Sequence, residues 1–126
     1  MGHNALYGTT TGTGNTGIGQ GALQGNTTAS NNTAVGKAAL SVNTTGTQNT
    51  ALGQGAAQSN ISGVYNVALG SDSLRDNTTA NWNVAVGTNA LLLNTTGASN
   101  VAIGGLALDA NVTGAANTAV GYNALS

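Results

Sequence analysis

Side chains able to make or break bonds are few in this chain, and they are scattered. His3 is the one histidine; the acids are Asp72, Asp76 and Asp109, the bases are Lys37 and Arg75, and cysteine and glutamate are absent. General acid–base chemistry needs such groups within hydrogen-bond reach of one another and of a substrate. Asp72, Arg75 and Asp76 are neighbours in sequence, and their types fit a solvated ion pair better than an acid–base site. A Ser-His-Asp arrangement would require His3 to travel from the start of the chain to its middle. No aspartate recurs at a fixed spacing, as calcium-binding glycine–aspartate repeats require. Glycine-rich stretches such as Gly12-Thr13-Gly14 are not followed by a helical pattern, so they lack the helix N-terminus that cradles phosphate. No catalytic, cofactor-binding or metal-binding residue is assigned, and an enzyme is not expected.

The pattern N-x-[ST] occurs at Asn26, Asn43, Asn60, Asn77, Asn94 and Asn111. Taken alone, each is an acceptor for N-glycosylation. Their even spacing points elsewhere. A second asparagine series, Asn15, Asn32, Asn49, Asn66, Asn83, Asn100 and Asn117, recurs every 17 residues with no slip. A fixed period of this length is the signature of stacked repeats. Counting that asparagine as position 1, the consensus is N-[TV]-A-[VIL]-G-x-x-A-L-x-x-N-T-T-G-x-x. Position 5 is always glycine: Gly19, Gly36, Gly53, Gly70, Gly87, Gly104 and Gly121. The whole chain is one repeat array. A partial rung covers 2–14, full rungs cover 15–31, 32–48, 49–65, 66–82, 83–99 and 100–116, and a partial rung covers 117–126. An array that opens at position 5 and closes at position 10 is expected to be a segment of a longer one.

The elements follow from the rung. N-[TV]-A-[VIL]-G reads as a short strand, with positions 2 and 4 on one face and position 3 on the other. The glycine at position 5 implies positive φ or a close backbone neighbour. Positions 8 and 9, alanine and leucine, continue as a strand or bend, and N-T-T-G carries turn chemistry. Asn, Gly and Thr make up 57 of 126 residues, and all three are weak helix formers. The expected fold is therefore all-β: a parallel β-solenoid, or β-roll, of 17-residue rungs. Asparagines stacked in register can hydrogen-bond along the array as polar ladders.

The core should be thin, with large aliphatic side chains only at positions 4 and 9. Burial against other copies of the chain would add what a thin roll lacks. The alanines at positions 3 and 8 are small enough for another backbone to approach, and they are read as a seam between copies; the alternative is that alanine fits a narrow interior.

Composition limits the partners. The net charge of −1, with two basic residues, argues against nucleic acid, which needs clustered Lys and Arg. Leu91-Leu92-Leu93 is the longest aliphatic block, so no apolar run long enough for a membrane span exists. The start of the chain shows no basic segment followed by an apolar one. Adjacent threonines at positions 13 and 14 would point to opposite faces of a strand, which disfavours an ice-binding face. Tyr65 and Trp82 both occupy position 17 of consecutive rungs. They should stack on one turn, either as a local packing pair or as a contact patch for sugar or protein.

The consensus resembles repeats of bacteriophage tail-fibre shafts. Its N-x-A-[VI]-G core is similar to the head repeats of trimeric autotransporter adhesins. That resemblance covers essentially the whole chain. The adhesin-head family fold is a left-handed parallel β-roll in a homotrimer, and the resemblance implies a trimeric, host-contacting fibre on a virion tail or cell surface, with no catalytic residues. The adhesin-head repeats are typically shorter than 17 residues, so rung shape and handedness are not carried over. The expected partners are further copies of the chain, side by side and end to end, and a host-surface glycan or protein. The expected role is a shaft or spacer. The alternatives are a glycan- or surface-binding module and an ice-binding solenoid.

Overall fold

The computed structural model describes residues 2–126. Its strands are β1 (Thr16–Ile18), β2 (Thr33–Val35), β3 (Thr50–Leu52), β4 (Val67–Leu69), β5 (Val84–Val86), β6 (Val101–Ile103) and β7 (Thr118–Val120). They form one parallel sheet in the order β1-β2-β3-β4-β5-β6-β7. Residues 17 apart are partners, as in Thr33↔Thr50, Ala34↔Ala51 and Val35↔Leu52. Each repeat is thus one coil of a parallel β-solenoid, and the described residues contain no helix. A parallel pair needs a crossover of a dozen or so residues, and the remainder of each rung supplies it.

The backbone ladder continues outside the strands. On the far side of the coil Leu40 N–H donates to Ala56 O (3.0 Å), and Ala57 N–H to Ser73 O (2.9 Å). At the turn before the strand, Trp82 N–H donates to Val64 O (3.1 Å). Within a rung, tight turns bend the chain, as where Asn60 N–H reaches back to Ala57 O (3.1 Å).

The interior corrects the expected core. Position 4 faces outward: Ile18, Leu52, Ile103 and Val120 are 41–67% exposed. Position 3 faces inward, so Ala34, Ala51, Ala68, Ala85 and Ala102 are fully buried. With them lie the position 8 alanines and the position 9 leucines Leu23, Leu40, Leu74 and Leu91. The alanine columns are therefore not a seam between copies. They line the inside of a single narrow coil, already covered by their own chain.

Two adjacent inward residues, such as Ala39 and Leu40, contradict the alternation of a strand. A local break in handedness resolves this. Leu23, Leu40, Ala57, Leu74, Leu91 and Leu108 all have φ between 48° and 53°. This left-handed conformation turns the leucine back into the coil. The segment from position 6 to position 11 is accordingly a series of turns, with no strand. The N-T-T-G segment differs from expectation too. Its asparagines and its glycines, such as Gly46 and Gly63, do not have positive φ; positive φ falls at positions 7, 9 and 17 and, as expected, at the position 5 glycines.

Such an interior admits little extra volume. Ala68 is fully buried in the position 3 column, between Ala51 and Ala85 on the neighbouring strands. We expect Ala68→Leu to lower the unfolding free energy by about 1–3 kcal/mol through overpacking. Leu69→Ala, on the outward face of the same strand, should cost a single chain less. Equal losses in denaturant melts would contradict this division of inside from outside.

Candidate functional site

Both asparagine series lie inside the coil and converge on one carbonyl in each rung. In the rung that starts at Asn49, Asn49 Nδ2 donates to Gly63 O at 2.8 Å and Asn60 Nδ2 donates to the same oxygen at 3.0 Å. Both lone pairs of that carbonyl are thereby used, and the turn between positions 12 and 17 is tied to the strand. The next rung repeats this with Asn66 and Asn77 on Ala80 O (2.8 and 3.2 Å). The same groups also link the rungs. Asn49, Asn66 and Asn83 each donate a backbone N–H to the side-chain oxygen of the preceding asparagine at 2.9–3.0 Å. At position 12, Asn60 Nδ2 donates to Asn43 Oδ1 (2.8 Å) and Asn77 Nδ2 to Asn60 Oδ1 (2.7 Å). Burial of these polar groups is tolerated because they are hydrogen-bonded.

These bonds settle the N-x-[ST] pattern for the folded chain. Asn26, Asn43, Asn60, Asn77 and Asn94 are fully buried, so their amides are not acceptors for a glycosyl group. The threonines that follow are also partly structural. Thr27 Oγ donates to Thr44 O and Thr78 Oγ to Thr95 O, each at 3.1 Å. The next column outward, Thr28, Thr45, Ser62, Thr79 and Thr96, is exposed.

Tyr65 and Trp82 come together as the spacing implies. Their ring centroids are 4.1 Å apart and the planes 14° from parallel. The pair stands on left-handed residues at the corner before the strand (φ 59° and 62°). His3, exposed, is in the first partial rung, and Asp109 is separated from Asp72 and Asp76 by two coils. Arg75 and Asp76 form a two-pronged ion pair, Nε–Oδ1 at 2.8 Å and Nη2–Oδ2 at 3.1 Å. That hydrogen bond raises the Arg75 pKa above its ordinary value, against a smaller opposing effect of burial. The pair is about one-third exposed, so its contribution to stability is small. Among the described residues no three His, Cys, Asp or Glu side chains group as metal ligands, and no pocket forms. Among the described residues no helix is long and apolar enough to cross a membrane.

One surface escaped the sequence reading. Positions 2 and 4 of all seven strands point outward and carry only Thr, Val, Ile and Leu. By the usual strand dimensions they make a strip about 10 Å wide and 30 Å long. Every charged side chain lies elsewhere: Lys37, Asp72, Arg75, Asp76 and Asp109 all fall between positions 6 and 11. That segregation was visible in the repeat alignment. It was obscured by assigning the position 4 aliphatics to the core.

Comparison with family models, with curated proteins and with solved structures finds no match to this chain.

Proposed function

We propose that this chain is a non-catalytic shaft segment of a homotrimeric fibre, of the phage tail-fibre or surface-adhesin kind, that spaces a contacting tip from a particle or cell. The observation that carries the proposal is the uncharged strip over β1–β7, in which ten aliphatic side chains stand with Thr16, Thr33, Thr50 and Thr118. An exposed, largely apolar strip of roughly 300 Å² is of the size that often serves as a contact surface. Regular columns running along the axis suit a partner with the same period, and a second copy of the chain has that period. The unbroken ladder supports the mechanical part. Each coil bonds to the next through its strand, its turns and two asparagine columns, so bending would strain every column at once. The expected place of action is extracellular or on a virion, with trimer symmetry taken from the resemblance of the repeat.

The test is mass in solution by light scattering. The expected value is three times the 12.1 kDa chain. Val86→Lys places a charge on the central part of the strip, and we expect it to shift the mass towards the single chain at micromolar concentration, with the far-UV spectrum retained. A native protein that is monomeric at that concentration would overturn the assembly. Thermal hysteresis in such a monomer would instead favour an ice-binding face. The specific observation for that second reading is the outward row Thr16, Thr33 and Thr50 beside Ile18, Val35 and Leu52.

A further inference from the structure

The position 17 column runs Gln48, Tyr65, Trp82, Ser99, Ala116 along the axis. Its backbone is in register, since Tyr65, Trp82 and Ser99 N–H groups each donate to the position 16 carbonyl one rung back, at 3.0–3.2 Å. One face of the Trp82 indole is covered by Tyr65, stacked at 4.1 Å. The next side chains beyond its other face are Ser99 and Ala116, both short. Trp82 is consequently 59% exposed, while Tyr65, with Gln48 behind it, is 39% exposed. The column therefore makes a step: an indole face as the riser and two small residues as the tread.

Polar groups border that step. Asn81 Oδ1 accepts the Val64 N–H at 2.8 Å, which fixes the carboxamide. That contact draws the carboxamide back to the preceding rung, on the Tyr65 side of the indole. The exposed Ser99 hydroxyl lies on the tread, and the same turn carries the exposed Thr79 and Thr96 hydroxyls. An indole face held by stacking, with hydroxyls beside it, suits a ligand that is apolar on one face and polar around its rim. A pyranose whose ring C–H bonds point to one side has that form. A peptide aromatic would also stack, but it would leave the hydroxyls unused.

We infer that the step formed by Trp82, Ser99 and Ala116 binds a pyranose unit of a glycan, with the sugar's C–H face on the indole and its hydroxyls towards Ser99 and the neighbouring threonines. The site is complete within one chain, so it is independent of the number of chains in the fibre. One small sugar on one aromatic face should bind weakly, with a dissociation constant on the order of millimolar. Repetition around an assembly would raise the avidity without new contacts.

Trp82 is the only tryptophan, so its emission reports this site alone. The probe is methyl β-D-glucopyranoside, whose ring substituents are all equatorial. Sorbitol, equally rich in hydroxyls but without a ring face, is the control. A saturable change in emission with the glucoside and none with sorbitol is expected. Ser99→Gln should weaken binding at least tenfold by covering the open indole face; Gln48 shows that the column accepts this residue. Ser99→Ala should weaken it several-fold with the emission maximum of the free protein unchanged. Absence of saturation, equal responses to glucoside and sorbitol, or undiminished binding in a folded Ser99→Gln variant would overturn the inference. So would emission that shifts with protein concentration and ignores sugar, which would assign Trp82 to contact between copies. The sugar-binding outcomes leave the solution mass that tests the shaft untouched, so the two readings fail separately.

Discussion

Asn60→Asp is expected to lower the unfolding free energy by about 3–5 kcal/mol at neutral pH, although the substitution exchanges a single NH2 for oxygen. Asn60 is fully buried. Its Nδ2 feeds Asn43 Oδ1 and Gly63 O, and its Oδ1 accepts from Asn77. An aspartate keeps only the last bond. Its new oxygen would face two acceptors at distances of 2.8 and 3.0 Å that were set for donation. A buried carboxylate in that position favours its protonated form, so its folded-state pKa would rise above the unfolded value of about 3.9. Stability should then be highest below that unfolded value and fall as pH rises through the folded one. The variant should therefore recover part of its deficit in acid, relative to the native chain. Asn111→Asp is the internal comparison. Asn111 donates to Asn94 Oδ1 and Gly114 O, but no later asparagine donates to it, and it is only half-buried. Its cost should be less than half as large. Denaturant midpoints at neutral and acid pH, at one protein concentration, decide the matter. Equal losses at the two sites, or no recovery in acid, would show that the ladder is not what holds the rungs.

The repeat carried most of the architecture openly. A period of 17 without insertion leaves one pairing register, and the strand pairs follow it from Thr16↔Thr33 to Ala102↔Ala119. The asparagine columns and the Tyr65–Trp82 stack were legible for the same reason, because residues one period apart become neighbours. What the repeat obscured was direction. Position 4 looked like core because Val, Ile and Leu are usually buried. Here the interior is too narrow for them on the strand side, where alanine and asparagine already fill it. The left-handed leucines were also hidden. Leucine rarely adopts positive φ, so A-L reads as strand or bend. Only the demand that both residues point inward forces the turn. The outward strip could have been found from charge. All five charged residues avoid the strand and its flanks, a bias that a freely solvated strand would not need.

The asparagine columns also explain how so few large apolar side chains hold a coil together. Each rung buries one leucine or alanine at position 9 and two small residues at positions 3 and 8. Four side-chain donations to carbonyls or amide oxygens then accompany an inner rung such as the one that begins at Asn49. In a solenoid each coil stabilises only its neighbours. A fault in one rung is felt locally first, and it divides the array where it falls.

Gly70→Ala tests that division most severely. Gly70 has φ of 133°, a region that side-chain-bearing residues rarely enter. A Cβ there would also lie 2.6 Å from both the carbonyl carbon and oxygen of Gly87 and 3.0 Å from Thr88 N. These are backbone atoms of the next coil, so no side chain can swing aside. The two coils would have to separate along the column, which would stretch the Gly87 N–H bond to Leu69 O (2.7 Å). The expected loss exceeds about 4 kcal/mol, at the far end of what single substitutions do. Gly121→Ala separates the two causes. Gly121 has nearly the same φ, 128°, but its added Cβ would meet only Ala124 Cβ, at 3.9 Å. That variant keeps the conformational strain without the clash and should lose about 1–3 kcal/mol. Hydrogen exchange should show Gly70→Ala opening first between the rungs that begin at Asn66 and Asn83, while Gly121→Ala leaves those amides protected. If both variants lose the same stability, the glycine column exists for its φ alone and the close stacking of coils at position 5 is incidental. If Gly70→Ala loses far more, as expected, then glycine recurs there because each coil rests directly on the backbone of the next.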